Sequence, residues 1–405
     1  MLWLACAAPA VAADLPGAWV ELRSDGALDV RAIIPPGAAC PVMIADGTPL
    51  VAAPRDAPDE AYPIQVCAAR APAGAKRISV AGLPAPTLPK KINRIVILGD
   101  TGCRLKGKIA QDCNDPAAWP FATIARLAAA RHPDLVIHTG DYHYRESECP
   151  AGQAGCAGSP FGDNWLVWKA DFFDPAAPLL AQAPWVMVRG NHELCGRGGK
   201  GWFRLLDPRP PAACGAMTEP YALTIDRQNL LVFDSADADD EKIDPAKVAL
   251  YRAQLQALLP QAKPGAWLLT HRPIWSLGQG NVPRGTVTNI TEQAAIRGLV
   301  PAELAMVISG HIHDFGIYDY GQARPAQLVV GTGGDTNDAT THPPKPGMEV
   351  DGMKLRQGYV VQNYGFLLLD RVAKGWIGQV IGLDNALIAR CEFRGRSAMC
   401  KPLQH

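Results

Sequence analysis

The 405-residue sequence predicts an α/β fold preceded by a smaller all-β region. Three observations predict this arrangement. Alternating apolar stretches separated by Gly, Pro and Asp turns occupy residues 19–80, and from residue 91 short apolar runs alternate with helical patterns. Directly after five of these runs come side chains that commonly bind metals. Chains longer than about 250–300 residues usually divide into domains, as this pattern suggests.

Period-two alternation predicts the N-terminal strands. Trp19–Leu22 and Leu28–Ile33 alternate in this way, and the Pro-rich stretch 81–90 is typical of a linker. We therefore expect a small β-sandwich domain of the immunoglobulin or fibronectin type over residues 14–88. A larger domain is expected over residues 91–405.

Five apolar runs predict buried strands of the larger domain. They cover residues 95–98, 135–138, 185–188, 267–270 and 306–309. Apolar residues at helical spacing predict helices over residues 119–131 and 244–259. Strands that alternate with helices indicate an α/β architecture.

Ligand-type side chains follow all five runs. They are Asp100, Asp141, Asn191, His271, and the pair His311 and His313. In α/β sheets, binding sites form beyond the carboxyl ends of the strands, where successive loops converge. A glycine precedes the first ligand-type residue after four of the runs, and we expect it to let the backbone turn tightly and direct the side chain inward.

This set of side chains suits two metal ions. Carboxylates can bridge two cations, imidazoles suit transition metals, and a phenolate suits a ferric ion. Two metals held roughly 3.5 to 4 Å apart lower the pKa of a bound water and clamp the attacking and leaving oxygens of an in-line displacement. The sequence supplies at its strand ends the mixture of ligands that hydrolysis of a phosphate ester by a metal-bound hydroxide requires.

At these positions the chain resembles the calcineurin-like metallophosphoesterase superfamily and, within it, the purple acid phosphatases. The resemblance rests on five motifs in order: Asp100-Thr101-Gly102, Gly140-Asp141-Tyr142-His143-Tyr144, Gly190-Asn191-His192-Glu193, the isolated His271, and Gly310-His311-Ile312-His313. The superfamily usually opens with Asp-x-His, whereas this chain has the Asp-x-Gly of the purple enzymes. The resemblance implies a four-layer α/β/β/α sandwich.

The resemblance also implies a role for each residue. Asp141 is expected to bridge the metals, with Asp100, Tyr144 and His313 completing the first position. Asn191, His271 and His311 complete the second. His192 is expected just outside the metals, where it hydrogen-bonds the phosphate or protonates the leaving oxygen. Glu193 is expected to orient His192.

The implied cofactor is a dinuclear centre of Fe(III) with Fe(II), Zn(II) or Mn(II). This expectation depends on Tyr144, because phenolate ligation favours Fe(III). A Tyr144 side chain turned away from the site would leave a Mn(II) or Zn(II) site with one ligand fewer. The segment 145–163, rich in Cys and Gly, does not align with the family.

Two features predict export to a secreted or periplasmic location. Residues 1–13 are apolar and end in Ala10-Val11-Ala12-Ala13, which is typical of a signal peptide, although the usual basic start is missing. Either the true start lies upstream or the leader is atypical. Ten cysteines other than Cys6 fall into neighbours that predict five local disulfides. The pairs are Cys40 with Cys67, Cys103 with Cys113, Cys149 with Cys156, Cys195 with Cys214, and Cys391 with Cys400.

Composition argues against nucleic acid and membranes as partners, and the resemblance implies a small phosphate-ester substrate. With 39 basic and 39 acidic residues the net charge is zero, which argues against general attraction to nucleic acid or to an anionic membrane. No later run reaches the roughly 18 apolar residues that a bilayer span needs. Two alternatives to a phosphomonoesterase stay open. One is a phosphodiesterase or nucleotidase of the same fold, and the other is a secreted binding protein with an inert phosphoesterase fold.

Two other segments have structural interpretations. The acidic stretch 237–241 is predicted to be a solvated turn, because the Gly and distal Glu of an EF-hand are missing. The aromatic stretch 161–173 is predicted to be a helix packed on the sheet. Arg145, Arg197 and Asp314 lie near the motifs and receive no role.

Overall fold

A computed structural model describes residues 17–209, 213–279 and 288–403. The predicted signal peptide at residues 1–13 lies outside these ranges. In the described part of the chain, no helix combines the length and the apolar character that crossing a bilayer requires.

Strands make up most of the regular structure. The N-terminal strands are β1 Trp19–Leu22, β2 Leu28–Ile34, β3 Met43–Ala45, β4 Thr48–Pro49, β5 Ala52–Pro54, β6 Gln65–Ala71, β7 Ile78–Val80 and β8 Leu83–Ala85. The central strands are β9 Arg94–Leu98, β10 Leu105–Lys106, β11 Ile109–Ala110, β12 Leu135–His138, β13 Trp185–Met187, β14 Tyr221–Ile225, β15 Gln228–Val232, β16 Ala266–Leu269, β17 Leu304–Ser309, β18 Phe315–Asp319 and β19 Ala326–Val330. The C-terminal strands are β20 Glu349–Val350, β21 Met353–Lys354, β22 Gln357–Val361, β23 Gly365–Val372, β24 Gly375–Gly382, β25 Leu387–Arg394 and β26 Ser397–Pro402.

The helices are short and lie between the central strands. They are α1 Phe121–Ala129, α2 Trp165–Trp168, α3 Asp174–Leu180, α4 Gly199–Gly201, α5 Pro245–Leu258 and α6 Ile290–Ile296. Single 3-10 turns cover Ala154–Cys156, Asn191–Glu193 and Leu259–Gln261, and π-helical turns cover Lys169–Phe173 and Trp202–Leu206. Helix α5 begins where the sequence predicts it, because Asp244 accepts hydrogen bonds from the amides of Ala246 and Lys247 at its N-terminus.

Two large sheets form the centre of the molecule. One has eleven strands in the order β26-β25-β24-β23-β9-β12-β13-β1-β2-β6-β5, and the other has seven in the order β14-β15-β16-β17-β19-β18-β22. Strands β9, β12 and β13 are mutually parallel, as are β15, β16 and β17. The five predicted strands therefore divide between two sheets, three in the first and two in the second.

The layers follow from which faces of the strands are buried together. Ile95 and Ile97 of β9 pack in one core with Trp267 and Leu269 of β16, between the sheets. The opposite face of the eleven-stranded sheet packs against α1, α2 and α3, and the opposite face of the seven-stranded sheet packs against α5 and α6. The order of layers is α/β/β/α, which confirms the predicted fold class.

The aromatic stretch 161–173 belongs to the first helical layer. Trp168, Phe172 and Phe173 are fully buried against the eleven-stranded sheet, whereas Phe161 is exposed. The predicted packing role is confirmed. The stretch also contains the π-helical turn Lys169–Phe173, which directs Asp171 toward the strand ends.

The N-terminal segment is rich in strands, as predicted, but it is not set apart from the larger sheet. Strand β1 pairs in parallel with β13, so that β1, β2, β6 and β5 extend the eleven-stranded sheet. Strands β4, β3, β7 and β8 form a second sheet that packs on these strands through Met43, Ile78 and Val80. Part of the stretch predicted as a linker is strand β8. The division into domains at residues 14–88 and 91–405 stays a prediction.

All five predicted disulfides are present. Cys40–Cys67 closes the N-terminal sandwich, and Cys391–Cys400 joins β25 to β26. The other three, Cys103–Cys113, Cys149–Cys156 and Cys195–Cys214, close loops that follow the central strands β9, β12 and β13. The loops after these three strands carry the predicted site residues of the eleven-stranded sheet, whereas His271, His311 and His313 follow strands of the seven-stranded sheet.

A buried arginine joins the N-terminal segment to the rest of the chain. Arg31 of β2 is fully buried and donates hydrogen bonds to Asp29 and to Glu21, both at 2.8 Å. It also donates to the carbonyl oxygens of Leu205 at 2.6 Å and Asp207 at 2.7 Å. Removing one partner of a buried ion pair leaves an uncompensated charge.

We predict that Arg31→Ala lowers the free energy of unfolding by about 3–5 kcal/mol, because the buried Glu21 carboxylate loses its ion-pair partner, while Asp29 keeps Arg55 at 3.3 Å. Urea denaturation followed by tryptophan fluorescence measures the change. Arg70→Ala is the matched control, since Arg70 pairs with Asp25 on the exposed surface and such pairs contribute about 0–1 kcal/mol. An equal effect of the two substitutions would contradict this prediction.

Candidate metal centre

The predicted ligand residues lie where the carboxyl ends of the two parallel strand sets meet. Asp100 and Asp141 follow β9 and β12 of the eleven-stranded sheet, while His271 and His311 follow β16 and β17 of the seven-stranded sheet. Asp100, Asp141 and His311 have φ angles of 58°, 60° and 71°. Non-glycine residues rarely adopt this left-handed conformation, and where they do so they often mark functional sites.

The glycines before the ligand residues mainly allow neighbouring carboxylates to lie close to the backbone. Gly140 has a positive φ of 106°, which agrees with the predicted tight turn. At Gly190 and Gly310 the φ angle is not in the left-handed region. There, an added Cβ would lie less than 3.0 Å from carboxylate oxygens of Asp141 and Asp100, respectively. The predicted turn role therefore holds at Gly140, while contact with the carboxylates explains Gly190 and Gly310.

Tyr144 points into the site and is the centre of a first group of donors. Its hydroxyl oxygen lies 2.9 Å from Oδ2 of Asp141, 3.0 Å from Nε2 of His313 and 3.1 Å from Oδ1 of Asp100. The tyrosine is fully buried. The geometry thus has the inward orientation on which the iron expectation depends, and not the outward orientation that would leave one donor fewer.

A second group of donors adjoins the first and shares Asp141 with it. Nε2 of His271 lies 3.0 Å from Oδ1 of Asn191 and 3.2 Å from Oδ2 of Asp141. In the described residues, Asp141, His271 and His311 form the one His, Cys and carboxylate cluster whose donor atoms are close enough to bind a single ion. The structure therefore brings all seven predicted ligand residues into two adjoining groups.

Each of two histidines is oriented by a backbone carbonyl. Nδ1 of His271 lies 2.9 Å from the carbonyl oxygen of Thr139, and Nδ1 of His313 lies 2.9 Å from that of Thr336. Histidines that bind metals usually donate their second N–H in this way, which fixes the tautomer and the ring orientation. In both residues the remaining nitrogen, Nε2, faces the carboxylates.

Tyr144 is held in place by Asp171, which the sequence did not indicate. Asp171 is fully buried and accepts hydrogen bonds from the amides of Cys103 at 3.1 Å and Tyr144 at 2.9 Å. It also accepts from the amide and the Nε of Arg145, at 3.2 and 2.6 Å. This carboxylate joins the loop after β9 to the loop after β12.

His192 lies at the edge of the cluster, as predicted. Its ring packs on Tyr144 with centroids 3.7 Å apart, and its Nε2 is 3.8 Å from Oδ2 of Asp141. Oε1 of Glu146 lies 2.6 Å from Nδ1 of His192, and the Arg197 guanidinium pairs with Glu146 and contacts the imidazole. Burial lowers the pKa of His192 to about 4.

The expectation that Glu193 orients His192 is wrong. Glu193 is fully buried and accepts hydrogen bonds from the amides of Asp141, Tyr142, His143 and Gly190, at 2.8 to 3.1 Å. Its side chain therefore holds the loop that presents Asp141. The carboxylate that contacts His192 is that of Glu146, two residues after Tyr144. Glu146 lies in the segment 145–163, which does not align with the family, so the resemblance gave it no role.

One residue of the acidic stretch 237–241, Asp240, contributes to the site, and for this residue the prediction of a solvated turn is wrong. Oδ2 of Asp240 lies 2.9 Å from Nε2 of His311, and Arg272 forms an ion pair with Asp240. Arg272 directly follows the predicted ligand His271 in the sequence, and this position indicates a side chain near the site. Nothing local in the sequence indicated that Asp240 turns inward.

The electrostatic field of the cluster favours positive charge. Burial alone would lower the pKa of His271 and His313, but the charge of Asp141 at the first and of Asp335 and Asp100 at the second raises these pKa values to about 9 and about 10. Burial likewise opposes ionisation of Asp141, yet the nearby histidines bring its pKa well below the usual carboxyl value. A cluster of buried oxygen and nitrogen donors with this field fits bound cations.

The family model described as calcineurin-like phosphoesterase matches residues 93–315, which is more than half of the chain. The chain belongs to the calcineurin-like phosphoesterase family. The match contains all seven predicted ligand residues. No curated protein matches the chain by sequence. The family supports hydrolysis of phosphate esters and implies a dinuclear metal centre, for which the cluster around Asp141 is the candidate site.

Two solved structures share the fold. A purple acid phosphatase from seeds of yellow lupin (Lupinus luteus) is similar with a TM-score of 0.60 and 12% identity, covering 95% of this chain and 74% of its own. PhoD is similar with a TM-score of 0.59 and 12% identity, covering 98% of this chain and 94% of its own. At this identity the likeness concerns the fold alone.

We predict that Gly190→Ala displaces Asp141, because the added methyl group would overlap its carboxylate. A misplacement of about 1 Å at a reacting site costs on the order of 100-fold in rate. We therefore expect metal content and hydrolysis of an aryl phosphate both to fall, with an unchanged far-UV circular dichroism spectrum.

Gly196→Ala is the control for this prediction. An added Cβ at Gly196 meets nothing within 4 Å, although the residue lies on the same loop. Elemental analysis and steady-state kinetics compare the two variants. Wild-type metal content and rate in Gly190→Ala would show that the close approach to Asp141 is dispensable.

Proposed function

We propose that the protein is a two-metal hydrolase of phosphate esters, a phosphomonoesterase similar to the purple acid phosphatases. The observation that carries the proposal is the position of the Tyr144 hydroxyl, 2.9 to 3.1 Å from donor atoms of Asp141, Asp100 and His313. A phenolate at that point suits a ferric ion. The family membership and the shared Asp141 between two donor groups support a dinuclear centre.

The proposed assignment of ligands follows the two groups. Asp100, Tyr144 and His313 would hold the first metal, and Asn191, His271 and His311 would hold the second, with Asp141 shared by both. The first position is assigned to Fe(III) and the second to Fe(II), Zn(II) or Mn(II). When bound, such a pair supplies Lewis acidity and activates water as a nucleophile near neutral pH.

His192 is proposed to act on the substrate itself. Its imidazole lies beside the cluster, 3.8 Å from Asp141, and Glu146 fixes its orientation through Nδ1. Nε2 is proposed to hydrogen-bond the phosphate or to pass a proton to the leaving oxygen, a role suited to an imidazole, and substrate would then replace Arg197, which lies 2.8 Å from this nitrogen. Arg197 closes this group from the outer side, since it pairs with Glu146 and donates to the carbonyl oxygen of Asn191 at 3.0 Å.

A secreted or periplasmic location is proposed together with this activity. The five disulfides support it, because disulfides persist mainly in oxidising compartments. Three of them close loops beside the cluster, so reducing conditions would loosen the loops that carry Tyr144 and His192.

The first prediction from the proposal concerns iron. We expect the purified protein to contain iron and to show a visible charge-transfer band from the Tyr144 phenolate. Tyr144→Phe should lose that band while keeping its fold, because only the phenol oxygen is removed. Absorption spectroscopy with elemental analysis measures both properties. Tyr142→Phe is the control, since the Tyr142 hydroxyl donates to the carbonyl oxygen of Val188 and not to the cluster. A colourless protein containing only zinc or manganese would remove the iron assignment.

The second prediction concerns catalysis. Asp141→Asn and His311→Ala should each lower hydrolysis of an aryl phosphate by on the order of 1000-fold or more and should also lower metal content, because each removes a donor from the cluster. Retained activity and metal in either purified variant would defeat the proposal.

The wild-type protein should be compared on an aryl phosphate, a bis-aryl phosphate and a nucleotide in the same assay. We expect the highest kcat/KM on the monoester. Preference for the diester or the nucleotide would replace the phosphomonoesterase assignment with a phosphodiesterase or nucleotidase of the same fold. Failure to hydrolyse any of them with both metals bound would favour a binding protein.

A further inference from the structure

The acidic loop formed by residues 237–242 contains one residue that behaves differently from its neighbours. Asp237 pairs with Lys247 at 2.9 Å, Asp239 accepts hydrogen bonds from the amides of Glu241 and Lys242, and Glu241 is exposed. These residues form the surface turn that the sequence predicts. Asp240 instead directs its carboxylate toward the site.

Asp240 contacts the imidazole of His311. Its Oδ2 lies 2.9 Å from Nε2 of His311. Arg272 pairs with the same carboxylate, lies 3.0 Å from the same nitrogen and is fixed through its Nε to the carbonyl oxygen of Ala236 at 3.3 Å. The three side chains follow strands β15, β16 and β17, which are neighbours in the seven-stranded sheet. Adjacent strand ends thus bring them together.

The loop is held by helix α6. The amides of Ile290 and Thr291 donate to the carbonyl oxygens of Asp240 and Asp239, both at 3.4 Å, and the Thr291 hydroxyl donates to that of Lys242 at 2.8 Å. The position of the Asp240 backbone is therefore fixed from outside the cluster. Its carboxylate is placed by its contacts with Arg272 and His311.

The outer nitrogen of His311 lies 2.9 Å from a carboxylate oxygen, that of Asp240. The outer nitrogens of His271 and His313 each lie 2.9 Å from a neutral carbonyl oxygen of the backbone, and the carboxylate of Asp335 is farther from that of His313, at 3.5 Å. An ionised acceptor makes a stronger hydrogen bond than a neutral one. Because Nε2 of His311 is engaged by Asp240, Nδ1 is the nitrogen that would be available to a metal.

We propose that Asp240 is a positioning residue for His311 and thereby sets the affinity of the second metal position for its divalent ion. This inference rests on the proposed function. A carboxylate that accepts from the outer nitrogen of a ligating histidine fixes the ring and raises its basicity, and its removal typically costs about 10–100-fold in metal affinity.

The two metal positions differ in how far their side chains are exposed to solvent. The side chains of Asp240 and His311 are 26% and 20% exposed, whereas those of Asp100 and His313 at the first position are 0% and 7% exposed. Asp240 and Arg272 also line a surface cavity of about 410 Å³. The side of the second position formed by His311 and Asp240 is therefore more exposed than the first position, whereas His271 on its other side is fully buried.

The test compares Asp240→Asn with Asp239→Asn in the full chain. Asp239 is the adjacent residue of the same loop, and its role as acceptor for backbone amides is retained by asparagine. After removal of the divalent ion with a chelator, zinc affinity is measured by competition with a chromophoric chelator. We expect Asp240→Asn to weaken zinc binding about 10–100-fold and Asp239→Asn to match the wild type.

Two further readouts separate positioning from a general loss of structure. The iron content and the visible band of Tyr144 should be unchanged in Asp240→Asn, and the melting temperature of the zinc-depleted form should equal that of the wild type. Asp240→Glu keeps the carboxylate and should bind zinc more tightly than Asp240→Asn. Wild-type zinc affinity in Asp240→Asn would overturn the inference, as would complete loss of zinc binding, since that would make Asp240 a ligand.

Failure of this inference can be told apart from failure of the proposed function. A wild-type protein that binds fewer than two metal ions per chain, or hydrolyses no phosphate ester, would defeat the proposed function. A wild type that binds two ions and hydrolyses phosphate esters, with the same zinc affinity in Asp240→Asn, would defeat the role of Asp240 alone.

Discussion

The carboxylate of Asp141 must be reached by side chains from both sheets, and this requirement explains much of the local structure. Its Oδ2 contacts Tyr144 from its own loop and His271 from the seven-stranded sheet, while its Oδ1 accepts from the amide of His192. The left-handed backbone at Asp141, the missing side chain at Gly190 and the buried Glu193 all serve this placement. The left-handed backbone and the buried carboxylate would each be costly in an ordinary loop, since unusual backbone conformations and buried carboxylates are stabilised only where many contacts fix them.

The rest of the fold provides the rigid support that such a site needs. Two parallel strand sets, each backed by helices and joined by a shared apolar core, bring their carboxyl ends to one place. Buried carboxylates then join the loops to one another. Asp171 links the loops after β9 and β12, Glu193 links those after β12 and β13, and Asp240 links those after β15 and β17. The loops that carry the donor residues are thereby held to one another.

The α/β class and the candidate ligands at the strand ends could be predicted from local patterns in the sequence, whereas the four-layer order and the role of Tyr144 were implied by the family resemblance. A run such as Ile95–Leu98 marks a strand, and Gly-Asp or Gly-His at its end marks a position where chemistry is placed. Pairing between distant segments was not predictable in this way. Strand β1 joins β13 across more than a hundred residues, so the N-terminal strands extend the main sheet without any local sign of it. The roles of Glu146, Asp171 and Asp240 were not predicted either. The local sequence around an acidic residue does not show whether its side chain faces solvent or another part of the site.

The central claim is that Asp141 lies between two metal ions, one of them beside Tyr144. X-ray diffraction from crystals of the purified protein, with anomalous data collected on both sides of the iron and zinc absorption edges, tests it most directly. The account predicts two anomalous peaks roughly 3.5 to 4 Å apart, one on each side of the Asp141 carboxylate, with iron in the peak next to the Tyr144 oxygen. A single peak, no peak, or a pair that does not share Asp141 would contradict it.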